Sequence, residues 1–182
     1  MKYERIERAT FLERPNRFIA YARIEGKQET IHVKNTGRCA ELLVPEAEIF
    51  VQESDNPERK TKWDLIGVRK GDRLINMDSQ IPNKVVEEWL RAGNLFLEPV
   101  AVRPETTYGN SRFDFYVESG ETKALIEVKG VTLEEDGVVR FPDAPSERAV
   151  KHVEELIRAK KEGYDAYVFL VIQMKGVRYF TP

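Results

Sequence analysis

Two neighbouring stretches decide the fold of the second half of the chain: Gly109-Asn-Ser-Arg-Phe-Asp-Phe-Tyr-Val117 and Ala124-Leu-Ile-Glu-Val-Lys129. The first alternates apolar and polar residues, and the second is an apolar run that ends on Glu127 and Lys129. A turn signal, Ser119-Gly120, separates them. The pattern therefore predicts a β-hairpin with strands over residues 111–118 and 123–129.

The charged side chains of this hairpin are predicted to project together. Because side chains alternate along a strand, Glu127 and Lys129 share one face. If the turn pairs Glu118 with Glu121, Asp114 lies opposite Leu125. Cross-strand partners face the same side, so Asp114 is predicted to lie on the face of Glu127 and Lys129. A change of register by one residue would separate them.

This grouping suits a divalent metal centre. Two carboxylates on apolar strands repel one another and are costly to desolvate, so holding them together is favourable when a hard cation binds between them. Mg²⁺ or Mn²⁺ at Asp114 and Glu127 would activate a water molecule for phosphodiester hydrolysis, and Lys129 would position that water or stabilise the phosphate. The competing interpretation is a structural ion pair, because a bare Glu-x-Lys is common by chance.

The composition restricts the class of protein. At 182 residues and 41% hydrophobic residues, the chain can form one ordinary domain or two small ones. It contains no run of about eighteen apolar residues and no secretory signal pattern, so we expect a cytoplasmic protein with no membrane partner. One cysteine and two histidines argue against a structural zinc. The net charge of −2 means that any nucleic-acid contact has to come from a local patch.

Turn signals divide the first eighty residues into short extended segments. The five segments, at 18–24, 29–33, 49–53, 62–68 and 73–77, predict a small barrel. Pro82 then begins a helical pattern that Gly93 ends. We therefore place the domain boundary between residues 80 and 81.

A second helix and a strand follow the hairpin. Ser146 can cap a helix to about Glu162, and its apolar positions are predicted to face inward: Val150, Val153, Leu156 and Ile157. The apolar run 166–172 predicts a strand buried on both faces of an α/β sheet.

Basic residues gather in the first forty residues, which contain nine Lys/Arg and five Asp/Glu. The turn at residues 35–38 could hold a phosphate through its amides and guanidinium, which gives these candidate contacts: Arg14, Arg17, Lys34, Asn35 and Arg38. Phe18 and Tyr21 could stack on bases, but the favoured place for both is the barrel core. The alternative is solvated surface charge.

A second basic face is predicted near the start of the second helix. Arg148, Lys151 and His152 fall at i, i+3 and i+4, where the helix dipole also favours anions. Arg148 and Lys151 are therefore further candidate contacts to phosphate.

The sequence also resembles a known family, the sugar fermentation stimulation protein A family. The resemblance covers nearly the whole chain and rests on these stretches: Arg14-Pro-Asn-Arg-Phe18, His32-Val-Lys-Asn-Thr-Gly-Arg38, Asp78-Ser-Gln-Ile-Pro-Asn83, Gly109-Asn-Ser-Arg-Phe-Asp-Phe115, Glu127-Val-Lys-Gly-Val-Thr-Leu133 and Phe141-Pro-Asp-Ala144. It implies an N-terminal OB-like β-barrel at 1–80 and a C-terminal PD-(D/E)XK nuclease-like α/β domain at 81–182. It also implies DNA binding.

Carried over residue by residue, the resemblance makes Asp114 and Glu127 metal ligands and Lys129 the catalytic lysine. Glu105 is a candidate for the additional acidic residue of such sites, with a surface carboxylate as its alternative. Two departures from the family pattern stand out. Gly130 replaces the serine of many members, and members usually continue further beyond the strand at 166–172, so the last elements of the fold are expected to be missing.

Together these observations predict a Mg²⁺- or Mn²⁺-dependent nuclease that binds nucleic acid through the barrel. The rival hypothesis, which the family resemblance also implies, is a DNA-binding regulator of sugar-utilisation genes with a vestigial nuclease-like site. The sequence leaves open the choice between DNA and RNA and the oligomeric state, a homodimer included.

Overall fold

The computed structural model describes residues 2–96 and 101–182, and the chain divides into two compact units. The first unit contains the chain up to Gln80 together with Thr132–Phe141 and Ile172–Pro182, and the second contains Ile81–Val131 and Pro142–Val171. The chain thus returns to the first unit after residue 80, whereas the predicted division assigned all later residues to the second domain. No helix in the described ranges has the length and apolar character needed to cross a membrane.

The described residues form both strands and helices. In chain order the elements are β1 (Ile6–Glu13), β2 (Ile19–Ile24), β3 (Lys27–Val33), β4 (Glu48–Glu53), β5 (Trp63–Lys70), β6 (Arg73–Asn76), α1 (Ile81–Arg91), β7 (Ala101–Tyr108), β8 (Ser111–Ser119), β9 (Thr122–Val131), β10 (Glu134–Glu135), β11 (Val138–Arg140), α2 (Glu147–Lys161), β12 (Asp165–Ile172) and β13 (Tyr179–Thr181).

Five strands of the first unit close into a barrel. The sheet order is β3-β2-β1-β4-β5-β6, and a parallel pairing of β3 with β5 closes the barrel. The predicted OB-like barrel is confirmed, and β1 is an additional strand that the sequence pattern did not reveal. Its first three residues are all exposed, so the alternation typical of a half-buried strand is visible only near its end.

Apolar side chains from alternate positions fill the barrel. Phe11, Ile31, Ile49 and Leu65 are each at most 2% exposed. Full burial of such a side chain stabilises a fold by about 1.5–3 kcal/mol. These inward residues fix the faces of the strands and leave the connecting loops at the surface.

Glu134 joins the returning segment 132–141 to the barrel. It is 1% exposed, and its carboxylate lies 3.2 Å from Lys70 Nζ and 3.0 Å from a nitrogen of Arg73. Burial alone would raise the pKa of Glu134, but the N–H of Gly137 and the two cations lower it below its ordinary value. The segment is therefore held by a buried ionic contact.

The second unit has an α/β arrangement. Its four-stranded sheet has the order β12-β9-β8-β7. Val86 and Leu90 of α1 pack with Phe115 and neighbouring residues in one apolar cluster, and α2 packs in another cluster around Leu156. Successive residues of β9 belong to different clusters, so the two helices cover opposite faces of the sheet.

The limits of both helices agree with the sequence prediction. Gly93 follows α1 with a φ of +76°. The hydroxyl of Ser146 accepts a hydrogen bond from the N–H of Ala149 at 3.2 Å, as an N-cap residue does.

The predicted inward face of α2 is wrong, apart from Leu156. Val150, Val153 and Ile157 are 59%, 46% and 51% exposed. The buried side chains are instead His152, Glu155, Leu156 and Ala159. The helix is turned so that two polar residues face inward, which hydrophobicity alone does not predict.

The predicted burial of β12 on both faces is also wrong. The strand exists at the expected place, but Val168 and Leu170 are 46% and 37% exposed. The reason is that β12 is the terminal strand of the sheet and, in the described part of the chain, only one of its faces is well covered.

Candidate active site

The hairpin of β8 and β9 has a different register from the predicted one. Glu118 pairs with Lys123, not with Glu121, and Ser119 pairs with Thr122 across a two-residue turn. The predicted register was therefore wrong by two residues. Because a shift of two preserves the alternation of faces, the expected grouping of charged side chains does not depend on this error.

Strand β8 changes face at Asp114. Phe113 packs in the cluster of α2, whereas Phe115 packs in the cluster of α1. In a regular strand these two residues would point to the same side. On the partner strand β7, Glu105 has a φ of +56°, a conformation that non-glycine residues rarely adopt. The irregularity gives Asp114 access to the main chain of β9.

Asp114 is held by two hydrogen bonds. Its Oδ1 accepts from Asn83 Nδ2 at 2.7 Å, and its Oδ2 accepts from the N–H of Val128 at 2.7 Å. Burial raises the pKa of Asp114 above its ordinary value, and the nearby Glu127 carboxylate adds to this, while both hydrogen bonds act against it. The carboxylate is thus fixed in orientation and would be stabilised as an anion by a cation nearby.

Glu127 lies at the centre of the site. It is 4% exposed, and His152 Nδ1 lies 2.8 Å from its Oε1. Lys129 donates a hydrogen bond to the same oxygen, which confirms that Glu127 and Lys129 share a face. Within the described residues, the buried Oε2 has no hydrogen-bond partner. A buried carboxylate oxygen without a partner is costly, so this atom is suited to a cation ligand.

Glu105 is not brought into this group. Its side chain is 58% exposed, and one carboxylate oxygen lies 2.9 Å from Arg112 Nε. In residues 2–96 and 101–182, no cluster of three or more His, Cys, Asp or Glu residues has the arrangement of a metal site. The structure therefore joins Asp114, Glu127 and Lys129, and a role for Glu105 as a ligand stays a prediction.

Sequence reasoning missed two residues of the site, His152 and Asn83. His152 was considered only as part of a basic helix face, but it is 6% exposed, and its ring lies 5.8 Å from that of Phe113. A signal was available, because His152 and Leu156 are four residues apart and so lie on one helix face. Asn83 lies in a family-like stretch, but nothing in its local pattern indicates a partner.

Arg14 connects two loops of the barrel. Its guanidinium donates to the main-chain oxygens of Arg17, Asn35 and Gly37, each at 2.7 Å, and of Arg38 at 2.9 Å. Burial lowers the pKa of Arg14 from its ordinary value. The described contacts of this residue are thus internal, and a contact with phosphate stays a prediction.

The other predicted contacts of the barrel differ in exposure. Lys34 Nζ lies 2.9 Å from Asp78 and 3.3 Å from Asp64, so its charge is already compensated. The side chain of Asn35 accepts from the N–H of Gly37 at 2.9 Å and shapes its own turn. Arg17 and Arg38 are exposed. These two are therefore the predicted residues best placed to meet a phosphate.

The residues of the predicted basic face of α2 differ in exposure. Arg148 and Lys151 are exposed, while His152 is turned inward to Glu127. Only the first two can contribute to an external phosphate contact.

Comparison with known proteins places this chain in a family. Residues 12–77 match the family model described as the SfsA N-terminal OB domain, and residues 80–182 match that of the sugar fermentation stimulation protein RE domain. The chain belongs to the sugar fermentation stimulation protein family. The resemblance noted in the sequence is confirmed.

Relatives in this family are similar over the full chain. A sugar fermentation stimulation protein homolog of Clostridium beijerinckii is 63% identical over 182 residues, covering 100% of this chain and 80% of the relative. One of Desulfitobacterium hafniense is 62% identical, covering 100% and 79%. A solved structure, Pyrococcus furiosus SfsA in complex with Ca²⁺, has a TM-score of 0.89 and 27% identity, covering 100% of this chain and 79% of that one.

Proposed function

We propose that this member of the sugar fermentation stimulation protein family is a metal-dependent nuclease. It binds nucleic acid through the barrel and hydrolyses phosphodiester bonds at Asp114, Glu127 and Lys129. The observation that carries the proposal is the buried Oε2 of Glu127, which has no hydrogen-bond partner in the described residues, beside a second carboxylate whose pKa is raised. A carboxyl group with a raised pKa beside a buried carboxylate oxygen that lacks a partner is typical of functional sites.

The donor set fits a hard divalent cation, which is why we propose Mg²⁺ or Mn²⁺. Asp114 and Glu127 supply carboxylate oxygens, the ligand type that these ions prefer. The structure of the Pyrococcus furiosus relative is described as a complex with Ca²⁺, another oxygen-binding cation, which supports a divalent ion in this family. When bound, such an ion supplies Lewis-acid chemistry and neutralises the negative charge of the phosphodiester.

The remaining roles, orienting the carboxylates and stabilising the transition state, would belong to the protein's own groups. Asn83 and the N–H of Val128 hold the Asp114 carboxylate in one orientation. His152 holds Glu127. Lys129 donates to Glu127 and, with nucleic acid bound, could turn to a phosphate oxygen, where its charge stabilises the pentacoordinate transition state.

One observation favours the rival hypothesis of a DNA-binding regulator. Oε1 of Glu127 already contacts both Lys129 and His152, an arrangement that a structural ionic cluster would also have. In that case the site would be vestigial, and the barrel alone would act. Nucleic-acid binding in the cytoplasm is common to both hypotheses.

Cleavage of labelled DNA and RNA with Mg²⁺, with Mn²⁺ and with EDTA tests the proposal. We expect cleavage with the ions only, and its loss in Asp114→Asn. The matched control is Glu121→Gln, an exposed carboxylate in the turn of the same hairpin, which should cleave as the wild type does. A wild-type protein that binds nucleic acid but is inert with every divalent ion would support the regulator instead.

A further inference from the structure

Phe18 is presented to solvent by a rigid loop of the barrel. The side chain of Asn16 accepts from the N–H groups of Phe18 at 2.9 Å and of Ile19 at 3.1 Å. The carbonyl oxygen of Phe18 accepts from the N–H of Val33 at 2.7 Å. The main chain on both sides of the ring is therefore fixed by hydrogen bonds.

Phe18 is 49% exposed, and among the described large apolar residues that are exposed it is the only phenylalanine. The guanidinium of Arg17 lies over it, 5.4 Å from the ring centroid. The sequence pattern favoured the barrel core for Phe18, and this prediction is wrong, because the residue lies at the surface. A ring whose main chain is already fixed loses little conformational freedom when a ligand stacks on it, so this exposed ring is preorganised for stacking.

Two cationic side chains without carboxylate partners in the described residues, Arg17 and Arg38, lie on the loops that Arg14 connects. Arg14 ties the Phe18 loop to residues 35–38, so Arg17 and Arg38 belong to one connected surface. In the described residues, neither Arg17 nor Arg38 forms an ion pair, whereas the charge of Lys34 is compensated by Asp64 and Asp78. We call Arg17, Phe18 and Arg38 the stacking surface.

We propose that the stacking surface binds an unpaired nucleotide, so that the barrel selects single-stranded nucleic acid. Phe18 stacks on the base, and Arg17 and Arg38 contact the flanking phosphates. This proposal rests on the nucleic-acid binding in the proposed function. Single strands are expected as the ligand because bases within a duplex are covered on both faces by their neighbours. A side-chain ring can therefore stack only on a base that is unpaired and free.

Binding to three probes in EDTA tests the proposal without cleavage. The probes are a thymidine strand of about 12 nucleotides, within the range that one OB fold covers, an abasic strand with the same number of phosphates, and a duplex of the same length. Phe18→Leu should raise the Kd for the thymidine strand by about 5- to 150-fold and leave the Kd for the other two probes unchanged. Phe18→Trp, which retains a stacking ring, should keep the wild-type preference.

Two further variants separate stacking from charge. Tyr179→Leu removes another exposed aromatic ring of the same unit, 59% exposed on β13, and should have no effect on any probe. Replacing Arg17 and Arg38 together with Gln should weaken binding to the thymidine and abasic strands alike and lower the salt slope by about 1.4, at about 0.7 for each phosphate contact with a single strand.

The proposal is overturned if Phe18→Leu binds the thymidine strand as tightly as the wild type does, or loses the same affinity for the abasic strand. These results would leave metal-dependent cleavage untouched. Conversely, the wild type could be inert with every divalent ion while Phe18→Leu loses the preference for the thymidine strand over the abasic strand. That result would refute the proposed nuclease activity and support the stacking surface.

Discussion

Replacing His152 with leucine should disturb both the stability of the fold and the binding of metal. His152 is 6% exposed and contacts the buried carboxylate of Glu127 at 2.8 Å. A hydrogen bond to a charged group contributes about 1.5–3 kcal/mol to stability. For a chain of this size each kcal/mol shifts the Tm by about 2–4 °C, so we expect the Tm of His152→Leu to fall by about 3–12 °C.

The same substitution should weaken metal binding, because His152 orients the carboxylate through which we propose the ion is held. Loss of a group that orients a metal ligand typically costs about 10- to 100-fold in affinity. Calorimetric titration with Mn²⁺ measures this directly, and thermal melting in EDTA measures the effect on stability without metal. We expect both to change in His152→Leu.

Two controls make the result specific. His152→Asn retains a donor near the position of Nδ1 and should recover part of the Mn²⁺ affinity. Val153→Ala changes the adjacent residue of α2, which is 46% exposed, and should change neither quantity by much. A leucine variant that melts lower but binds Mn²⁺ as the wild type does would refute the positioning role and leave His152 a purely structural residue.

Four further predictions concern single residues. Asp114→Asn should be as stable as the wild type or slightly more stable in thermal melting at neutral pH, because a buried carboxylate with a raised pKa is disfavoured as an anion. The variant should also lose cleavage of nucleic acid. A lower Tm with unaltered cleavage would contradict this prediction. Lys129→Met should reduce kcat by on the order of 10²- to 10³-fold, yet bind Mn²⁺ more tightly in calorimetry, because a cation next to the carboxylates is removed. Arg14→Lys, which keeps the charge, should lower the unfolding free energy by about 1.5–3 kcal/mol in denaturant titrations, because four hydrogen bonds to carbonyl oxygens are lost. Unchanged stability would mean that the hydrogen bonds of the Arg14 guanidinium are dispensable for the fold. Burial alone would raise the pKa of Asp64, but its bonds to Arg59 and the neighbouring cations outweigh burial and lower the pKa. The stability that Asp64 contributes should therefore be fully present above the ordinary carboxyl pKa and be lost as the pH falls through the lowered value. Asp64→Asn should flatten this part of the curve of stability against pH.

Sequence reasoning succeeded where alternation along a strand decided the outcome. Glu127 and Lys129 have a fixed spacing of two, so their common face did not depend on the turn, and the register error of two residues left it intact. The barrel was found from turn signals, and β1 was missed because its first residues are exposed. Strand period is a local property, which is why it could be predicted.

The errors arose where tertiary contacts overrode local pattern. On α2, hydrophobicity placed Val150, Val153 and Ile157 inside, but the helix is turned so that His152 reaches Glu127. Such conflicts between pattern and structure are expected at functional sites, because a site retains buried polar groups that a simple core would replace. The positive φ of Glu105 is likewise a property of the paired strands and has no signal in the sequence around it.

The return of the chain to the barrel has a consequence for biosynthesis. Lys70 and Arg73 are synthesised long before Glu134, the buried carboxylate that pairs with them, and Gln173, whose side chain donates to Asn76 at 3.0 Å, comes later still. A ribosome that has released only residues 1–80 has therefore produced a barrel whose cations have no buried partner and whose later segments are absent. Closing such long loops is slow compared with local hairpin formation. The nascent barrel would thus mature only after the second unit has been synthesised, so its exposure to proteases and chaperones would be set by the time needed to make that unit.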